Sequence, residues 1–281
     1  MPIQDAILID LLVGALVACL ASALGARIAR RNGAAGVAGL VGLVVGVIAF
    51  CHVSLVPTLL RGWLRIDLHR AGMTLFGNER QAGAYADALT PLLISQPFQK
   101  RLKARRAEDD PLLRPSLATT YDTMTTELVF AGLARLSPDE VSAVFRLRRA
   151  LAEVSPPLCG AMLRERFDVA PETMAAGLHD LNESDQREWI ALSSRAMALE
   201  LDAVGPAPRI SRAALDATMA DIVKVLPREQ QIAVEALYET FSLPPDKACD
   251  AFHALAAGMS GLTPAARAPL LRSLDHPELL E

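Results

Sequence analysis

Two long apolar stretches open the chain, Ile7 to Ala29 and Gly33 to Pro57. The first carries Asp10 near its start and Arg27 near its end, and the second has no charge beyond what His52 can hold. A helix of about 20 apolar residues crosses ~30 Å of hydrocarbon, so both stretches predict membrane spans. The spacer Arg30-Arg31-Asn32 fits only a tight turn. Residues 1–60 therefore predict a transmembrane helical hairpin. A hairpin buried in a soluble core is the competing reading, but a charge-free run as long as the second exceeds what a soluble helix normally hides. Leu16-Val17-Ala18-Cys19 has the shape of a lipoprotein cleavage box. No Lys or Arg precedes it within residues 1–10, and the apolar run continues past Cys19, so a cleaved signal fits poorly.

Within the second span, Gly36, Gly39, Gly42 and Gly46 recur every three or four residues and form a face without side chains. Another helix can approach closely there. The first span offers a matching ladder of Gly14, Ala18 and Ser22. Packing within the hairpin is one use of this face, and homo-oligomerisation is the other. Asp10 and His52 are the intramembrane polar groups, both near the same edge of the hairpin, where water can reach them.

After the spans the pattern changes. Leu59 to Phe76 sets Leu60, Trp63, Leu64 and Leu68 against Arg61, Arg65 and Arg70. This is the layout of an interfacial amphipathic helix, placed at residues 61–77, with arginines snorkelling to phosphates and Trp63 in the headgroup layer. From residue 78 to 281 apolar positions recur at i, i+3 and i+4 among Ala, Leu, Arg and Glu, and no run alternates long enough to demand a strand. The fold class is all-α. Ser137-Pro138-Asp139-Glu140 predicts an N-cap, a first-turn proline and a capping-box glutamate, and Thr263-Pro264 opens the last helix similarly.

The helical region resembles itself at a period of about 45. Ala131-Gly132-Leu133 through Leu136-Ser137 matches Ala176-Gly177-Leu178 through Leu181-Asn182, and the string returns at Ala257-Gly258-Met259 through Leu262-Thr263. Leu226-Pro227 keeps the leucine and the break. Such a period suits a helical repeat array with an extended partner-binding surface. An irregular helical bundle is the alternative. Cys159 and Cys249 lie two periods apart, and two stacked layers would hold them roughly 20 Å from each other, so they are expected to be free core thiols.

Composition narrows the function. Net charge is −4, and four cysteines in 281 residues build no disulfide scaffold, so neither nucleic acid nor a cysteine-rich framework is indicated. No cofactor-binding, metal or nucleophile motif occurs. His179-Asp180 resembles the metal-binding dipeptide of phosphohydrolases, but no second histidine stands nearby and a helix C-terminus favours histidine by itself. Glu183, Asp185, Glu188 and Glu200 read as a solvated helix face, and Trp189 as core.

Orientation reads both ways. Arg27, Arg30 and Arg31 in the turn place it inside and both termini outside. Arg61, Arg65, Arg70 and Arg80, with the cluster Lys100, Arg101, Lys103, Arg105 and Arg106, favour a cytoplasmic C-terminal region, and that cluster also suits anionic lipid. The expected protein is a non-enzymatic, membrane-anchored helical scaffold or adaptor in a bacterial inner membrane, without cofactors. Its partners are the bilayer and another protein. The alternative is an oligomeric pore or ion-translocating effector assembled through the glycine face.

Overall fold

The computed structural model describes residues 56–108, 115–155, 158–159, 171–239 and 244–281. Among them the secondary structure is helical: α1 Val56–Phe76, α2 Glu79–Leu93, α3 Gln96–Glu108, α4 Leu117–Leu133, α5 Pro138–Val154, α6 Pro171–Asp180, α7 Glu183–Leu201, α8 Arg212–Val225, α9 Arg228–Glu239, α10 Pro245–Met259 and α11 Pro264–Asp275. A 3₁₀ turn, Pro277–Leu279, follows. Contacts divide the chain into two units, Met1–Asp67 with Arg106–Asp122, and Leu68–Arg105 with Thr123–Glu281. The buried clusters and the cavity described below belong to the second.

Among the described residues no helix is long and apolar enough to cross a membrane. The predicted hairpin, with Gly36, Gly39, Gly42, Gly46, Asp10 and His52, lies outside the described residues. Helix α1 begins at Val56, inside the predicted second span, and runs without a break to Phe76. It places Arg61, Arg65 and Arg70 in solvent, while Trp63 is half-buried and Leu64 buried. Gly77 ends it in the left-handed region (φ 60°), which glycine adopts without a Cβ clash.

The local rules of the sequence are obeyed. Ser137 Oγ accepts from the Glu140 N–H (3.3 Å) while Glu140 Oε2 accepts from the Ser137 N–H (2.8 Å), completing the capping box. Asn182 Oδ1 takes the N–H groups of Ser184 and Asp185, and Thr263 Oγ1 takes that of Ala266. Leu136, Leu181 and Leu226, each next to a helix break, are buried. The repeated glycines are crossing points. A Cβ on Gly132 would overlap the Ala196 carbonyl, and those on Gly177 and Gly258 would run into the side chains of Leu158 and Ile222. Two glutamines one period apart repeat a further contact. Gln186 Nε2 donates back to Leu178 O (2.9 Å), and Gln231 Nε2 to Val223 O (2.9 Å) and Leu226 O (2.7 Å). The period thus marks a recurring helix–turn–helix corner.

It does not mark an extended array. In a linear stack each unit touches its neighbours alone. Here α5, from the first corner, packs most extensively on α11, from the last, and α2 packs on α7. The disulfide Cys159–Cys249 (Cα–Cα 5.1 Å) corrects the expectation of two free thiols held apart by stacked layers. That expectation assumed layers following one another in sequence order, whereas long-range packing folds the last corner back onto the first. One core results. Leu136, Leu147, Leu215, Ile222, Phe252 and Leu255 are buried together, with the Phe145 and Phe252 rings 5.2 Å apart. Full burial of each such side chain stabilises by about 1.5–3 kcal/mol.

Candidate functional site

Among the described residues of this unit, one concave feature is an apolar cavity of about 280 Å³, partly open to solvent. Six helices build it. Helix α1 supplies Leu75 and Phe76, α2 supplies Tyr85 and Leu89, and α4 supplies Thr125, Thr126, Val129 and Phe130. Val144, Leu147 and Arg148 come from α5, Met174 and Leu178 from α6, and Trp189, Leu192 and Ser193 from α7. Most of these positions recur at i, i+3 or i+4 along their helices, the same periodicity that makes the helices amphipathic. The described lining offers hydroxyls, an indole and one guanidinium, and no carboxylate, imidazole or thiol. Its chemistry is that of an apolar receptor.

Arg148 fixes one wall. Its Nη1 donates to Asp275 Oδ1 at 2.7 Å, with both side chains under a tenth exposed. The adjacent His276 is buried as well. Its Nε2 lies 3.0 Å from Phe130 O and its ring centroid 4.7 Å from that of Phe130. The end of α11 thereby anchors α4 and α5, two of the cavity's six walls.

Trp189 was expected in the core. It is half-buried, packs against the core and also borders the cavity. The acidic face expected on α7 is largely engaged in ion pairs. Glu200 is clamped between Arg101 (3.1 Å) and Arg135 (2.7 Å) at 15% side-chain exposure, and Arg146 pairs with Asp185 (2.7 Å) and Glu188. The basic cluster is divided accordingly. Arg101 also donates to Glu200 O (2.7 Å), Arg105 pairs with Glu127 (3.4 Å), Lys100 and Lys103 are exposed, and Arg106 is half-buried. His179 contacts Asp180 (3.4 Å) and covers Gly77, whose Cβ would strike its ring.

A second cluster escaped the sequence reading. Cys159, Cys249 and His253 bring their ligand atoms within 4.8 Å of one another, with His253 Nε2 3.6 Å from Cys159 Sγ. The spacing Cys249-x-x-x-His253, one helical turn, was the available signal. While the sulfurs are bonded to each other they supply no thiolate to a metal.

Compared with known protein families, curated proteins and solved structures, the chain matches none of them.

Proposed function

We propose that the protein is a membrane-anchored helical adaptor that presents a receptor for an apolar segment of a partner protein. The observation that carries this reading is the cavity walled by Phe76, Val129, Leu147 and Trp189 and partly open to solvent. An apolar anchor seated in a desolvated pocket is how a few residues supply most of an interface's binding energy. The two apolar stretches before α1 supply the tether, and the glycine face supports self-association of the hairpins. The test is site-specific photo-crosslinking in cells. A benzophenone residue at Thr126, on the exposed part of the lining, should give one discrete protein adduct that disappears when Leu192→Trp fills the cavity. The same probe at Val204 should give none. Equal adducts from both positions would remove the receptor reading.

The glycine ladder also favours a second reading, a pore assembled from several hairpins, with Asp10 or His52 on the ion path. Conductance or proton flux through liposomes holding the full chain, compared with His52→Ala and Gly42→Leu, decides it. A flat trace for the unmodified chain excludes it.

A further inference from the structure

We infer that the Cys159–Cys249 bond is made in an oxidising compartment, so that residues 78–281 lie on the extracytoplasmic side of the membrane and the Arg27–Arg31 turn in the cytoplasm. The sidedness rests on the hairpin reading above, whereas the linkage does not.

Three observations converge. First, the bond joins two positions far apart in sequence and is built into the core. Cys159 is fully buried in the same cluster against which Cys249 packs. A Cα separation of 5.1 Å lies within the range that a disulfide spans. Second, such structural bonds persist outside the cytoplasm, where no glutathione or thioredoxin pool returns them to thiols. Their formation here removes two protons and two electrons from the two thiols. The electrons pass by thiol–disulfide exchange to the disulfide of a thiol oxidase of that compartment, which leaves as a dithiol.

Third, the cation count that favoured the cytoplasm loses most of its weight. Charge steers topology within about 15–20 residues of a span, and long domains translocate regardless of it. Lys100 to Arg106 lies well beyond that window from Pro57, and Arg101 is committed to Glu200 inside the fold. Inside the window remain Arg61, Arg65 and Arg70, which equal Arg27, Arg30 and Arg31 in number. The count is then level. The first span, which usually dominates, puts the turn inside, and the disulfide agrees with it. A partner for the apolar cavity is accordingly an extracytoplasmic segment.

The experiment uses the full chain in a Gram-negative host. Cells are quenched in acid, free thiols are blocked with N-ethylmaleimide, and the protein is digested without reductant. In parallel, Val204→Cys, at a fully exposed position, is challenged in spheroplasts with a membrane-impermeant maleimide. The expected result is a Cys159–Cys249 linked peptide, with Val204→Cys labelled before lysis. Blocked thiols at both positions, or labelling of Val204→Cys only after permeabilisation, overturn the inference. Carbonate extraction separates the two readings. Release of the chain from the membrane sinks the hairpin and with it the sidedness, while a linked peptide in released protein still assigns the oxidising compartment.

Discussion

Arg148 and Asp275 stand on α5 and at the end of α11, far apart in sequence and 2.7 Å apart in space, facing each other almost out of contact with water. Removing one member of such a pair strands an uncompensated charge. Asp275→Ala should therefore cost about 3–5 kcal/mol. The double apolar replacement Arg148→Met with Asp275→Leu should cost much less. Denaturant titration of the detergent-solubilised full chain measures both. Equal losses for the single and double variants would show that the pair is not what α11 contributes to α5.

The repeated glycines should answer differently from an unrepeated one. Gly132→Ala drives a methyl into the Ala196 carbonyl and should lower stability by about 1–3 kcal/mol. Gly83, in α2, has open space around it, so Gly83→Ala should raise stability by up to about 1 kcal/mol through helix propensity. Thermal midpoints of opposite sign are the expected readout. If both substitutions shift the midpoint the same way, Gly132 is not a crossing point.

Acid should weaken the start of α5. Burial pushes the Glu140 carboxyl up, but the Ser137 backbone N–H, the Ser137 hydroxyl and Arg195 together hold it below its ordinary value. A carboxylate depressed in the folded state stabilises at pH above its unfolded pKa, and that contribution fades as pH falls through the folded value. Stability against pH should therefore drop on the acid side of the ordinary glutamate range. The part of that drop due to this residue should vanish in Glu140→Gln. An unchanged acid limb in the variant would refute the assignment.

Cleaving the disulfide should loosen the core without abolishing the helices. Its closed loop is about 90 residues long, for which loop entropy gives roughly 4–5 kcal/mol as an upper bound. Circular dichroism of the full chain with and without a dithiol reductant should show similar helix content and a lower melting midpoint. An unchanged midpoint would mean that the bond constrains little in the unfolded chain.

The two bridging glutamines are open to the same kind of check. Gln186→Leu and Gln231→Leu each leave helix-end carbonyls without their cross-turn donor. Each should cost about 1–3 kcal/mol. A large loss at one position and none at the other would argue that the period carries no shared structure.

What the sequence showed follows the range of the forces involved. The capping box at Ser137, the cap at Thr263 and the leucine corners are set within one or two turns of chain, so residue spacing reveals them. The all-helical class follows from the same 3.6-residue rhythm. The Arg148–Asp275 pair, the Arg101–Glu200–Arg135 clamp and the cavity depend on which helices meet, and no local rule specifies that. The cysteine distance failed for this reason. A true local period was extended into a stacking order that the long-range contacts do not follow. Glu200 misled similarly, because one carboxylate on a charged helix reads alike whether it faces water or two arginines.

Helices joined by the sharp corners are not the ones that pack most closely. Helix α5 ends at Val154, and its main support, α11, begins at Pro264. More than a hundred residues must be synthesised before α5 can meet it. At ordinary elongation rates of about 5–20 residues per second, that delay is several seconds or longer. During it the apolar side of α5 is a natural target for a holding chaperone, and the packing of α5 is completed only when α11 emerges.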